Sequence, residues 1–210
     1  MKRIIVGISG ATGAIYGIRL LQLLQPIEAI ETHLVMTAAA RRTLLLETPY
    51  SVAEVEDLAD QVHRSSDIAA AIASGSFRTM GMIVAPCSMK TVSGIASSYS
   101  ENLLLRAADV TLKERRPLIL LVRETPMHLG HLRLLTQVAE LNAIVMPPVP
   151  AFYQRPTTLD EVVDQTLNRV LDLMGVELAC DLFRRWEGPD IASGERVTSI
   201  ERPRSVVVKA

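Results

Sequence analysis

Lys2-Arg3-Ile4-Ile5-Val6-Gly7-Ile8-Ser9-Gly10-Ala11-Thr12-Gly13-Ala14-Ile15-Tyr16-Gly17 opens the chain. The apolar run Ile4–Ile8 is continuous rather than alternating, the pattern of a parallel strand buried on both faces. It runs into Gly7, Gly10 and Gly13, and helix-compatible sequence follows at once. A strand, a tight glycine turn and a helix start together aim backbone N–H groups and the positive end of a helix dipole at an anion. The glycines allow the backbone to approach a phosphate closely, and Ser9 and Thr12 add hydroxyls. By itself the stretch predicts a phosphate, without saying which.

Outward from this turn, strands and helices alternate. A helix over about 13–25 turns Ile15, Ile18, Leu21 and Leu24 inward and Arg19, Gln22 and Gln25 outward, and Pro26 stops it. Strands are expected at Thr32–Thr37, Met80–Ala85, Pro117–Arg123 and Ala143–Met146. Helices are expected at Ala38–Leu46, Ser51–Asp60 with a Ser51/Glu54 capping box, from Cys87 to Ala96, Ser98–Lys113 and Leu129–Leu141. Residues 63–76 read less clearly, with a helical turn at Asp67–Ala73. A last helix starts at the Thr158/Glu161 capping box, carries a core stripe of Val163, Leu167, Val170, Leu171 and Met174, and ends at Gly175. Arg169 lies with Gln165, Asn168 and Asp172 on the face opposite that stripe. The pattern predicts an α/β fold: a three-layer, doubly wound parallel sheet. Residues 1–186 form its single domain, and 187–210 a tail that packs on a neighbouring subunit or hangs free. In such sheets ligands sit at the carboxyl ends of the strands.

The 210 residues, 49% of them hydrophobic, suffice for one sizeable core. A net charge of −1 carries no field for nucleic acid. Cys87 and Cys180 offer no metal or disulfide spacing, which suits a reduced cytoplasmic setting. No apolar run approaches a membrane span. His128 and His131 have metal-like i, i+3 spacing but no carboxylate or cysteine partner, so no metal is expected.

A nicotinamide dinucleotide fits poorly. The spacing Gly7-x-x-Gly10-x-x-Gly13 is wrong, and the second strand ends Val35-Met36-Thr37-Ala38 with no acidic residue for a ribose hydroxyl. FMN needs only one phosphate cradle and a polar crevice. Polar residues fall at four expected strand ends: Ser9–Thr12, Thr37, Ser88–Thr91 and Arg123-Glu124.

Six further motifs bring a family into view. They are Ser9-Gly10-Ala11-Thr12-Gly13-Ala14 with Tyr16-Gly17, Pro86-Cys87-Ser88-Met89-Lys90-Thr91, Asn102-Leu103 with Arg106-Ala107-Ala108-Asp109-Val110, Leu112-Lys113-Glu114-Arg115-Arg116-Pro117-Leu118, Arg123-Glu124-Thr125-Pro126, and Phe152-Tyr153-x-x-Pro156. Together they resemble the UbiX-type flavin prenyltransferases over residues 1 to about 186, most nearly the branch that accompanies phenolic acid decarboxylases. The resemblance implies a flavodoxin-like, Rossmann-like flavoprotein fold and an enzyme that joins dimethylallyl phosphate to reduced FMN, first at flavin N5 and then by ring closure at C6. The prenylated FMN supplies a UbiD-type decarboxylase. A homododecamer is implied, with the site where subunits meet. By the same resemblance Ser9, Gly10, Ala11, Thr37, Ser88, Met89, Lys90, Thr91 and either Arg106 or Arg123 contact FMN. Lys113, Arg123, Glu124, Tyr153 and Arg169 form the prenyl-phosphate site. Glu47 matches a glutamate near the flavin edge, and Thr12 stands where many relatives have serine.

The chemistry of these residue types agrees. Breaking an allylic C–O bond to phosphate needs positive groups on the leaving oxygens, which Lys113, Arg123 and Arg169 supply without a metal. Glu124, or the departing phosphate, can accept the proton lost from the N5 adduct. Trp186 and Tyr153 offer electron-rich faces to an allyl cation. Each residue also has a plainer reading: Lys113 as a cation at a helix C-terminus, Arg123-Glu124 as a surface pair, Arg169 as a solvated arginine, Cys87 as core packing. Two rival functions remain open at this point. One is an FMN-dependent decarboxylase of the cysteine-decarboxylating group, although His33 falls inside a strand and Pro86-Cys87-Ser88 replaces that group's substrate clamp. The other is a non-enzymatic FMN carrier.

Overall fold

The computed structural model describes residues 1–188. Six parallel strands form one sheet in the order β3-β2-β1-β4-β5-β6: β1 Lys2–Ile8, β2 Ile30–Met36, β3 Gln61–Arg64, β4 Gly81–Cys87, β5 Leu118–Val122 and β6 Ile144–Val145. The helices are α1 Ala14–Leu24, α2 Ala38–Glu47, α3 Val52–Glu56, α4 Met89–Ala96, α5 Leu103–Lys113, α6 Leu129–Glu140 and α7 Leu159–Met174. The chain winds outward in both directions from β1 and β4, which pair Ile4 with Gly81 through Gly7 with Val84. Their shared carboxyl end is the topological switch point.

Alternation along β1 divides the core. Ile4, Val6 and Ile8 pack with α1, the buried Ala40 and Leu44 of α2 and the stripe of α7. Ile5 faces the other way, into a layer with Leu104 and Ala108 of α5 and Val138 of α6. Successive side chains of a strand point to opposite faces, so a continuous apolar run serves both layers. The expected three-layer, doubly wound α/β architecture is the one observed.

Several local expectations are corrected. Gln61–Arg64 is an edge strand that the sequence pattern did not suggest, because three of its four residues are polar and one side of it needs no apolar partner. Of Asp67–Ala73 only Ala71–Ala73 winds, as a 3₁₀ turn. The helix expected from Ser98 starts at Leu103: Ser98 is left-handed at φ 51, and Asn102 caps the helix by accepting from Leu105 N at 3.1 Å. Arg19, partly exposed on the outer side of α1, also holds Asp164 of α7 through two bonds of 2.7 and 3.0 Å. Nor does α7 expose Gln165 and Asn168, which are 6% and 2% accessible. Gln165 accepts from Ala151 N at 3.2 Å, and Asn168 accepts from Leu182 N at 2.8 Å. The segments before and after α7 both run over that face, which a helical periodicity cannot foresee. The expected 187–210 tail lies outside the described residues from 189 onward.

Candidate functional site

Four strand ends open on one crevice, and Ser9 stitches its floor. Ser9, 1% accessible, donates its hydroxyl to Pro86 O at 3.0 Å and accepts from Ser88 N at 2.8 Å. Its own N–H also reaches Pro86 O, at 3.2 Å. Its proton is therefore spent between the β1 and β4 turns, and what it can offer a ligand is its backbone environment. The Ala85–Pro86 and Thr125–Pro126 peptides at this rim are cis.

Two helix N-termini face the crevice with their own hydroxyl caps. Thr37 accepts from Ala40 N at 3.1 Å to start α2, and Ser88 accepts from Thr91 N at 3.3 Å to start α4. Met89 and Thr91 are buried beneath the turn, while Lys90 is exposed, 3.5 Å from Glu101. The third N-terminus differs. Gly13, left-handed at φ 98, starts α1 without a side-chain cap. Glu47 from the end of α2 fills the place, accepting from Gly13 N at 2.7 Å and Ala14 N at 3.2 Å. The phosphate cradle expected at the start of α1 is thus occupied by a carboxylate, because one positive helix end accommodates one anion. Gly10, Ala11 and Thr12 line the rim beside it. Arg123 and Glu124 follow β5: Arg123 N donates to Cys87 O at 3.0 Å, and Glu124 accepts from Thr125 N at 3.0 Å. Cys87 is fully buried, and burial pushes its thiol far above the ordinary range, so it is no nucleophile.

The other expected site residues stand elsewhere on the chain. Arg106 points from α5 to Ala73 O at 3.2 Å and Asp109 at 2.8 Å. Lys113 ends α5 at the amino edge of the sheet, paired with Glu114. Between that edge and Glu124 lies the whole of β5, a rise of roughly 17 Å for its length. Tyr153 is in a 3₁₀ turn after β6 and meets Trp186 edge to face, centroids 5.5 Å apart. Arg169 binds Asp172 at 2.7 Å, and Arg185 grips both oxygens of the same carboxylate at 2.9 Å. Arg185 foremost, then Arg169, holds the Asp172 carboxyl below its usual range. The structure thus gathers Ser9–Thr12, Thr37, Glu47, Ser88–Thr91, Arg123 and Glu124 at one crevice. Lys113 stands at the amino edge of the sheet, while Tyr153 with Trp186 follows β6 and Arg169 lies on α7, none of them bonded to the crevice residues among the described contacts. Asp109 and Asp172, the carboxylates that orient Arg106 and Arg169, went unremarked in the sequence as partners, although each lies three positions on.

His128 and His131 lie against each other, centroids 3.7 Å apart and planes tilted by 34°, and His128 Nδ1 accepts from Gly130 N at 3.0 Å to cap α6. Among the described residues no group of three or more His, Cys, Asp or Glu could hold a metal, and no helix is long and apolar enough to cross a membrane.

The Flavoprotein family matches residues 1–171. The flavin prenyltransferase UbiX of Escherichia coli K12 is 65% identical over 188 residues, which span 90% of this chain and 100% of that protein. A crystal structure of AnUbiX (PadA1) in complex with FMN and dimethylallyl pyrophosphate superposes with a TM-score of 0.85 at 46% identity, covering 90% of this chain and 99% of that one. A dodecameric FMN-dependent UbiX-like decarboxylase from Escherichia coli O157:H7 gives a TM-score of 0.85 at 49% identity, over 89% of this chain and 100% of that one.

Proposed function

The chain belongs to the UbiX family of flavin prenyltransferases, and from that premise we propose how its residues divide the reaction. The reaction joins the dimethylallyl group of dimethylallyl phosphate to reduced FMN, at N5 and then C6, and releases phosphate. The prenylated flavin goes to a UbiD-type decarboxylase. The observation that carries this reading is the switch-point crevice, where two capped helix N-termini, Arg123 and Glu124 meet in a chain 65% identical to such an enzyme.

FMN lies across the ends of β1, β2 and β4, with Ser9, Gly10 and Ala11 beneath it. Its phosphate is served by the turns at Thr37 and Ser88–Thr91 and by Arg106 or Arg123. The N-terminus of α1 is left to Glu47, at the flavin edge beside Thr12. Glu124, held by a single backbone N–H from its neighbour, takes the proton that N5 must lose. Lys113 and Arg169 meet the prenyl phosphate as charge develops on the leaving oxygens. Tyr153 and Trp186, already edge to face, wall the allyl cation.

One chain cannot bring Lys113 to Glu124 across the height of β5. We therefore place the prenyl-phosphate site between copies in a homo-oligomer, a dodecamer like the E. coli O157:H7 relative. Exposed Leu45, Leu46, Leu129, Leu132 and Phe152 supply apolar surface for such contacts. The free thiols of Cys87 and Cys180 suit the reducing cytoplasm.

The decarboxylase rival needs an available histidine after an early strand, but His33 is buried within β2. The carrier rival needs no Lys113, Glu124 or Arg169. Anaerobic incubation with reduced FMN and dimethylallyl phosphate, followed by the mass of the flavin, tests all three. A prenylated flavin is expected, and Glu124→Gln and Arg169→Ala suppress its formation while FMN stays bound. An unchanged flavin mass would overturn the reading.

A further inference from the structure

His33 and His63 stand on adjacent strands, β2 and the edge strand β3, and neither has a part in the reaction above. His33 Nδ1 is 2.9 Å from His63 Nε2. The ring planes lie within 11° and the centroids are 5.3 Å apart, so the rings meet nitrogen to nitrogen, not face to face. Such a contact shares one proton, donated by one ring and accepted by the other. His33 is 3% accessible. Phe77 packs edge-on against it at 5.1 Å, and Arg3 covers Phe77 at 4.6 Å. The charged groups acting on the pair come from three elements. Arg3 on β1 binds Glu31 on β2 at 2.8 Å. Glu31 in turn stands 3.4 Å from His33 Nε2, and Asp67, after β3, acts on His63.

His63 belongs to segment 61–79, which grips α5 along its length. Ser65 O accepts from Leu103 N at 2.8 Å, and Ala73 O from Arg106 at 3.2 Å. Gly75 O and Phe77 O accept from Arg116 at 2.8 and 2.9 Å. Gly75 lies so close to the end of α5 that a methyl on it would come within 2.6 Å of Lys113 Nζ. The segment is thus a template for the cationic row of α5. It is tied to the sheet by the short β3 pairing, the adjoining Asp60 bonds to Thr32 at 2.7 and 2.9 Å, the apolar packing of Ile72 and Phe77, and the histidine pair, the one of these ties that a proton can break.

We propose that the His33–His63 hydrogen bond latches segment 61–79 to β2 and so positions Arg106 and Lys113 for phosphate, and that a second proton on the pair releases it. His33 and His63 are positioning residues. The inference rests on the reading that Arg106 and Lys113 bind phosphate. Once both rings are charged, both facing nitrogens are donors, and the bond becomes a repulsion between two cations in an apolar site. Burial foremost keeps each ring below the ordinary histidine value, against the pull of Glu31 on His33 and of Asp67 on His63. The folded state therefore binds fewer protons than the unfolded one. The latch contributes fully above the ordinary histidine range and is lost as pH falls through it toward the lowered folded values.

The double variant His33→Asn/His63→Gln keeps an amide hydrogen bond where the two nitrogens stood and cannot take the second proton. Hydrogen-exchange protection of segment 61–79 and the kinetics with dimethylallyl phosphate are to be followed on the full chain from about pH 8 to about pH 5. In the unaltered protein, protection is expected to fall and KM to rise several-fold on acidification, with kcat changing less. In the double variant protection stays flat, and the rise in KM shrinks to the part contributed by the substrate's own phosphate, which gains a proton near about pH 6. His63→Gln alone serves the same purpose if the double variant does not fold. A segment that remains protected at the acid end, or an acid rise in KM as large in the variant as in the unaltered protein, overturns the latch. Lys113→Ala, assayed at neutral pH, separates the two readings. If it raises KM for dimethylallyl phosphate while acid does not, the latch is wrong; if it leaves KM unchanged, the phosphate reading fails instead.

Discussion

Two strand-to-helix turns flank the switch point, and they are built on opposite plans. After β4 the turn is short, and Ser88 caps α4 with its own hydroxyl. After β1 the turn is rich in glycine and uncapped, and a carboxylate from α2 closes it. The turn that looks more like a phosphate cradle is therefore the one whose positive end is already taken. An uncapped turn is open to any anion the fold can bring, including one of its own, whereas a turn that caps itself leaves its remaining N–H groups to a ligand.

The sharpest way to break this contrast is at Gly17, where α1 lies against the rim of β4. A Cβ there would stand 2.5 Å from Ala85 O and 2.6 Å from Ile8. Gly17→Ala should cost about 3 kcal/mol in urea unfolding, because backbone cannot move aside as a side chain can. Loss of less than about 1 kcal/mol would mean that the two turns are not tightly joined. Ser9→Ala comes next. It strands the partly buried Ser88 N–H and leaves the β1 and β4 turns less firmly stitched, at about 2 kcal/mol by the same measurement. Smallest are the two caps themselves. Ser88→Ala should cost about 1 kcal/mol, and Glu47→Gln about 0.5 kcal/mol. Glu47→Gln sharpens the comparison through binding as well. If the start of α1 held the flavin phosphate, removing the carboxylate would tighten FMN but not riboflavin. The expected titrations show no such selective gain.

Much of the fold is legible in the sequence where one element suffices to explain a residue. The continuous apolar run of β1 announces a strand buried on both faces, and the Thr158/Glu161 capping box of α7 forms with both of its bonds. What is not legible depends on partners distant in the chain. Gln165 and Asn168 look solvated on a helical wheel because the wheel omits residues 151 and 182 that cover them. The edge strand β3 has little apolar pattern because its stability comes from backbone pairing to β2 and from His33. For the site, the residue types are readable and their placement is not. Glu47 reaches Gly13 across 34 positions, and Lys113 and Glu124, eleven apart in sequence, are kept apart by an entire strand. A linear spacing does not state whether the chain folds back between two residues or runs straight through the sheet.

The length of β5 has one more consequence. A catalyst whose phosphate-binding lysine and proton-accepting glutamate stand at opposite edges of the same sheet, as proposed above, is a shared possession of its neighbours. Dilution then switches it off without unfolding anything. Two inactive variants, one lacking the lysine and one lacking the glutamate, restore working sites to each other when their chains assemble together, so a damaged gene copy can be partly repaired by a differently damaged one.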